Sequence, residues 1–453
     1  MIKDNGTFCG EPLINLSTRG IGHVQQCSQV KYIKGIPKKG TVDGLNIGDG
    51  FVYVDGVKQD LFNLKVDDWK DVWNSEYLID LREKQAKGIR NPTCELCYFG
   101  LTRSKRYRYI RDSEYYRPLY KKESPNKIEL RLSNECNLSC RFCTPINSSI
   151  YEKEMVKLGK SKNPVPDVVK RNYIDVANSV NKIKKQGEKF LRDTVDNLQE
   201  LIDSVTIIEM HGGEPTLETK LWEVLENTDV SEKEFICYSN VIKLSDYHID
   251  ILNRFKKGRF IASVDVADKT ISYVRYPAEW EVVSKNLMML KKFKKEIEIQ
   301  VSMTMQIYNM YRMAKSVTWM FDKFKECENH YPKIYVIQKP SYLSPNLISY
   351  KDRLELVKEL EDLQNEFRLI KDKWRNVRKR YARELKEIIG YLKIKDIKDS
   401  IPDISFYVKN KKRTKPKQLQ SILIKEFWEF TRTLDRIRKQ DFYEIYPEFK
   451  GKI

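Results

Sequence analysis

No apolar run in this 453-residue sequence approaches the ~20 residues needed to cross a bilayer. The opening residues, Met1-Ile2-Lys3-Asp4-Asn5-Gly6, lack the apolar stretch of a secretory signal. A cytoplasmic protein with no membrane partner is therefore expected. Internal repeats and low-complexity tracts are missing as well. The nine cysteines are odd in number and sit in a long chain without an export signal, which argues against a disulfide framework. Hydrophobic residues at 41% and aromatics at 11% are the proportions of a folded chain rather than a disordered one.

The charge is lopsided, with 83 basic against 64 acidic residues and a net of +19. Such an excess can serve a nucleic-acid partner. Much of it is Lys scattered among Ile, Asn and Tyr, which is a compositional bias rather than a patch. A basic run at Lys409, Lys411, Lys412 and Arg413, with Lys415 and Lys417 beyond, reads equally as a solvated loop.

Three zones follow one another, and the length allows two or three domains. Residues 1–120 carry short strand-like runs, such as Leu13–Ser17 and Phe51–Val54 before the turn pair Asp55-Gly56. A helix is expected over Trp69–Lys87, with Gly88 as its C′ residue and Pro92 soon after. Residues 121–345 alternate strands with helices. The strands expected are Ile128–Leu132, Val205–Met210, Phe235–Tyr238, Phe260–Val264, Ile297–Met303 and Ile334–Ile337, with helices such as Phe190–Leu201 and Trp280–Phe293 between them. This pattern predicts an α/β fold, an open six-stranded parallel (β/α)6 partial barrel. A helical insertion is expected over about 145–188. In residues 346–453 a helical extension is expected. Val357, Leu360, Leu363, Phe367, Ile370, Trp374, Val377, Tyr381, Leu385 and Ile388 mark one packing face of a long amphipathic helix or a helical pair.

Seven cysteines fall into two groups. Cys136, Cys140 and Cys143 make a C-x3-C-x2-C loop directly after the first expected barrel strand. Three thiolates so close together can each hold one iron of a cubane, leaving the fourth iron open to chelate a cofactor. A structural zinc site would close with a fourth ligand, and no His or Cys follows nearby. The loop sits at the C-terminal end of a strand, where barrel folds keep their chemistry.

These residues, with Phe142 before the last cysteine, resemble the radical S-adenosylmethionine (SAM) superfamily. His211-Gly212-Gly213-Glu214-Pro215 matches its GGEP motif, which the resemblance implies binds the SAM amino group. Gly-Gly permits close backbone approach and Glu supplies an acceptor. His211 reads as structural. Ser239, Asn240, Ser263, Asp265 and Arg275 look like the family's ribose- and carboxylate-contacting positions. The resemblance implies a [4Fe–4S] cluster, SAM, a reductant such as flavodoxin or ferredoxin, and hydrogen abstraction by a 5′-deoxyadenosyl radical.

The second group is Cys9, twelve residues, Gly22, four residues and Cys27, then Cys94-Glu-Leu-Cys97. Four thiolates suit an Fe–S cluster or zinc. The pattern resembles the SPASM and twitch auxiliary-cluster domains, as do Trp73-Asn74-Ser75, Arg82, Gly88, Ser104, Arg106, the run Phe427-x3-Thr431-x2-Leu434-Asp435-x2-Arg438 and Pro447-Glu448. By that resemblance the first zone is a small α+β auxiliary-cluster domain, although in better understood relatives it follows the barrel. The auxiliary cluster, an Fe–S cluster rather than zinc, would take part in electron transfer, and the substrate would be a peptide, a protein or a small molecule. Cys237 and Cys327 are expected to be buried or unligated. Two other readings are open: a tRNA- or nucleic-acid-modifying enzyme of the same superfamily, and a non-catalytic metal-stabilised binding protein.

Overall fold

Six strands carry the middle of the chain: β6 (Lys127–Leu130), β8 (Ile207–Met210), β9 (Glu234–Ser239), β10 (Lys257–Ser263), β12 (Ile297–Met305) and β13 (His330–Val336). In this computed structural model the described residues are 11–19, 23–25, 36–43, 45–48, 51–64, 67–91, 94, 123–187, 194–337, 339–401 and 415–453. Each of the six strands overlaps one of the six stretches expected from the sequence, with shifted bounds; β13, for example, starts at His330 rather than Ile334. Burial along most of β6, β8 and β12 suits a parallel sheet covered on both faces. Pairing is parallel in β6–β8 (Lys127 opposite Ile207), β8–β9 (Ile207 opposite Glu234) and β12–β13 (Ile299 opposite His330).

The sheet has eight strands rather than six. Its order is β13-β12-β10-β9-β8-β6-β1-β2, with β1 at Asn15–Arg19 and β2 at His23–Gln25. Asn15, Leu16 and Ser17 pair in parallel with Lys127, Ile128 and Glu129, and β2 returns antiparallel. Leu13 and Ile14, expected in a strand, belong instead to a helical turn over Glu11–Ile14, where Pro12 is tolerated because first-turn N–H groups have no helical partner. The rest of the first zone holds a small sheet of β3 (Leu45–Gly48), β4 (Phe51–Val54) and β5 (Val57–Lys58). Asp55 and Gly56 turn that hairpin with φ of 50° and 78°, the signature of a type I′ turn.

The chain forms two compact units that alternate along it. One comprises Met1–Glu135, Lys182–Cys237 and Asp250–Gly258, the other Cys136–Asn181, Tyr238–Ile249 and Arg259–Ile453. In the first unit the helix expected over Trp69–Lys87 is split into Trp69–Trp73 and Glu76–Ala86, because Ser75 turns extended and its Oγ accepts from Leu78 N.

In the second unit the insertion is helical, at Ser149–Gly159, Asp167–Val169 and Asp175 onward. The stripe after Tyr350 is a helical pair, Tyr350–Leu369 and Arg375–Leu392. Leu360, Phe367, Val377, Tyr381, Leu385 and Ile388 are buried, whereas Ile370 is 36% exposed. It lies at the break, where Asp372 draws Trp374 N and Arg378 Nη2 to its carboxylate, each at 2.9 Å. Among the described residues no helix is long and apolar enough to cross a membrane.

His330, at the start of β13, is fully buried. Its Nδ1 donates to Ile299 O at 3.2 Å, and its Nε2 accepts from Tyr381 Oη at 2.7 Å. Burial pushes the imidazole down to about 3, and Arg380 adds to that. A folded value below the unfolded one means that stability is fully present above about pH 6.5 and is lost as pH falls. Between pH 6.5 and 3 this group should remove up to ~1.4 kcal/mol of stability per pH unit. Urea unfolding of wild type and His330→Gln at stepped pH checks it. The variant, though less stable at pH 7, should have the shallower acid slope, and equal slopes would refute the assignment.

Candidate metal and cofactor site

The cysteine loop belongs to the second unit. Ser139 and Cys140 form the short strand β7, which pairs antiparallel with β11 (Arg275–Tyr276), so that Arg275 stands opposite Cys140 and Tyr276 opposite Ser139. Arg141 N extends this pairing to Val274 O at 3.0 Å, and Cys143 N closes a turn onto Cys140 O at 3.0 Å. Cys136 and Cys140 are buried and Cys143 is half-buried, all three as free thiols.

Hydrogen-bond donors converge on the sulfurs. Cys136 Sγ receives Leu138 N at 3.4 Å and Asn240 Nδ2 at 3.9 Å, and Cys140 Sγ receives Arg275 Nη1 at 3.9 Å. Burial pushes the Cys140 thiol up to about 12 against the pull of Arg275, and burial raises Cys143 too. Buried thiols with N–H donors aimed at sulfur are suited to a bound soft metal, whose own charge stabilises the thiolate form. The donor set fits a thiolate-ligated iron cluster, in which hydrogen bonds to sulfur tune the potential.

The residues around the loop are tightly fixed. Asp265 is buried at φ +69°, directly after β10, with Oδ2 accepting from Arg275 Nε at 2.7 Å and Oδ1 from Thr304 N at 2.7 Å. Burial works against the Arg275 charge, but the Asp265 carboxylate holds it protonated. The Arg275 guanidinium lies 5.3 Å from the centre of the Phe142 ring. After β9, Val241 has φ +61°, an outlier for a β-branched residue. Asn286 Nδ2 donates to both Val241 O and Ile242 O, at 2.8 and 3.0 Å, while Ser239 Oγ accepts from Val241 N at 2.9 Å. Asn240 Nδ2 also reaches Asn137 Oδ1 at 2.8 Å. Ser263 is half-buried at the end of β10. Two non-glycine residues in the left-handed region, each at the end of a sheet strand, mark backbone strain of the kind that clusters at functional sites.

The glycine motif belongs to the first unit. Gly212 has φ +135°, and a Cβ on Gly213 would lie 1.9 Å from Glu135 O. Glu214 N donates to that same carbonyl at 2.7 Å. Glu214 is buried, and its Oε1 accepts from Thr216 N and Thr216 Oγ1 at 3.2 and 2.8 Å. Pro215 O accepts from Trp222 Nε1 at 2.8 Å. The motif is thus docked on Glu135, the residue that precedes Cys136 in the chain. His211 pairs with Glu209 at 2.6 Å.

Sequence reading singled out His211 but missed Glu129 and Glu209 beside it. Glu129, Glu209 and His211 bring ligand atoms within 4.8 Å of one another, but Lys127 lies 2.6 Å from Glu209 and Arg131 2.8 Å from Glu129, which balances the cluster internally. The signal was the alternation Lys127, Glu129, Arg131 along one strand. Arg141 was missed too; it meets Asp435 at the cysteine loop, where Arg438 meets Ser139.

Of the second cysteine group, Cys9, Cys27 and Cys97 lie outside the described residues, as do Ser104, Arg106 and the basic run from Lys409 to Arg413. Cys94 is buried, with Gln85 Nε2 donating to its Sγ at 3.6 Å. Arg82 stacks 4.1 Å over Trp73 and donates to its carbonyl at 2.7 Å. Cys237 is buried and Cys327 half-buried.

No family model and no curated protein matches the chain. Among solved structures it is similar to anSMEcpe with bound AdoMet and Kp18Cys peptide, at 16% identity over 53% of this chain and 60% of that one, TM-score 0.30. It is also similar to TYW1 with a lysine-pyruvate adduct bound, at 18% identity over 50% and 70%, TM-score 0.28. A third is Streptococcus suis SuiB bound to precursor peptide SuiA, at 15% identity over 61% and 53%, TM-score 0.30. The match spans less than two thirds of the anSMEcpe and SuiB chains. Likenesses this weak say nothing of what this chain acts on.

Gly213→Ala should force the turn away from Glu135, a clash of the overpacking kind that costs ~1–3 kcal/mol. Thermal and urea unfolding should show the loss. A midpoint equal to wild type would show that the close approach is not required.

Proposed function

We propose that the chain is a radical SAM enzyme whose [4Fe–4S] cluster is held by Cys136, Cys140 and Cys143. The observation that carries this reading is the set of three thiols from one loop, two buried and one half-buried, with Asn240 and Arg275 donating to two of the sulfurs. Under this reading the sheet is the open partial barrel of that superfamily. When bound, the cluster supplies one electron for reductive cleavage of the SAM C–S bond, giving methionine and a 5′-deoxyadenosyl radical.

The chain's own residues bind, orient and shield. Gly212, Gly213, Glu214 and Pro215 are proposed to take the SAM amino group, and Ser239, Asn240, Ser263, Asp265 and Arg275 the ribose and carboxylate. Asp265 already accepts from Arg275 and Thr304 N, which supports an orienting role towards Arg275. Phe142 covers Arg275, and a buried guanidinium excludes water from the sulfur it faces. Cys9, Cys27, Cys94 and Cys97 are proposed to hold an auxiliary Fe–S cluster in a twitch-like domain. With four thiolates it would be fully ligated, which favours accepting an electron over binding substrate. The substrate class proposed is a peptide, a protein or a small molecule, with a flavodoxin or ferredoxin as reductant in the cytoplasm.

The test is anaerobic reconstitution with iron and sulfide, followed by SAM and dithionite. Wild type should release 5′-deoxyadenosine, and a Cys136/Cys140/Cys143→Ala triple variant should release none while losing about four irons per chain, one cubane's worth. Wild type that binds iron yet leaves SAM intact would sink the assignment, as would an active triple variant.

A further inference from the structure

Two arginines of the second unit, one beside the cysteine strand and one at the end of a helix, tie that strand to that helix. Arg141, fully buried, follows Cys140 in the chain. Its Nε donates to Tyr273 O at 2.9 Å, and its Nη2 donates to Asp435 Oδ1 at 2.5 Å and Gln440 Oε1 at 2.9 Å. Its guanidinium lies 3.6 Å from the centre of the Tyr273 ring. Asp435 stands near the end of the Pro416–Arg438 helix. Its Oδ1 also accepts from Tyr273 Oη at 2.8 Å, and its Oδ2 from Phe442 N at 3.1 Å. The second arginine runs the other way. Arg438, the last residue of that helix, donates to Ser139 Oγ and, at 2.7 Å, to Glu154 Oε2, while Ser139 donates to the same carboxylate.

Ser139 and Arg141 are the two neighbours of Cys140, so both sides of that cysteine are tied to one helix end. Fully buried guanidiniums are a costly way to pack a helix, since apolar residues of similar size would serve stability as well or better. What several charge-assisted bonds from one planar guanidinium add is direction. Their geometry holds the backbone at 139–141 in one place.

We infer that Arg141, Asp435, Arg438 and Gln440 are positioning residues for the metal centre: they latch the cysteine loop to the Pro416–Arg438 helix so that Cys140 is held ready to ligate. The inference rests on the reading of Cys136, Cys140 and Cys143 as cluster ligands. Outer-shell partners of this kind typically change metal affinity about 10–100-fold when removed.

The experiment uses the full chain, loaded anaerobically with iron and sulfide, as wild type and as Asp435→Asn, Arg438→Gln, Arg438→Lys, Gln440→Ala and Tyr273→Phe. Iron release to a ferrous chelator, the electron paramagnetic resonance spectrum of the reduced cluster, and the thermal melt are measured for each. Asp435→Asn and Arg438→Gln should lose iron about tenfold faster or more, with altered spectra and near-native melts, and Arg438→Lys should recover part of the loss. Folded variants that release iron at the wild-type rate with the wild-type spectrum overturn the latch. If Asp435→Asn and Arg438→Gln fail to fold, Gln440→Ala and Tyr273→Phe decide it, each removing one bond to Arg141 or Asp435. Faster release in these supports the latch, and wild-type release overturns it. Wild type that takes up no iron overturns the metal reading itself, a failure distinct from any result among the variants.

Discussion

The pair Arg275–Asp265, closed at 2.7 Å and out of water, is the constraint on which the cysteine loop depends. A buried guanidinium without its carboxylate costs several kcal/mol, and breaking such a pair by removing one partner typically costs ~3–5 kcal/mol. Here the carboxylate is held in turn by Thr304 N and by a left-handed backbone that no neighbouring residue shares. The cation then stands opposite Cys140 through the β7–β11 pairing. Charge, backbone conformation and sheet register thereby fix one sulfur together.

The same logic explains why the strain after β9 and β10 persists. Asn286 spans two successive carbonyls, and Asn309 Nδ2 donates to both Asp265 O and Thr304 O, each at 2.9 Å. Two amides thus hold two bends whose preferred conformations lie elsewhere. Strained backbone maintained by buried side-chain amides places donors and sulfurs more rigidly than relaxed loops do.

The six central strands were legible because buried parallel strands are written as short apolar runs, and the hairpin at Asp55-Gly56 because its turn chemistry is local. Spacing singled out the cysteine loop, whose thiols are buried at Cys136 and Cys140 and half-buried at Cys143. Strands β1 and β2 were not recognised as sheet members, since nothing in Asn15-Leu16-Ser17 says that it will lie beside Lys127. The helical pair was seen as a stripe, but Ile370 was assigned to its buried face because the break after it, where Asp372 accepts from Trp374 N, leaves no mark in the periodicity. Arg141 sits between two cysteines and drew no reading of its own. Its partner is 294 residues away, a distance no periodicity crosses, and the Asp435–Arg438 spacing carried no sign of what it binds.

That separation has a consequence for the newly made chain. The cysteine loop leaves the ribosome long before the helix that fastens it, and the first unit's segments Lys182–Cys237 and Asp250–Gly258 emerge in between. Until residues 435–440 have appeared, Arg141 has neither the Asp435 carboxylate nor the Gln440 carbonyl to turn to. The loop is therefore a late-maturing element: it cannot take up these bonds until residues 435–440 have been made, and a ribosome stalled short of Asp435 would present Cys136, Cys140 and Cys143 without them.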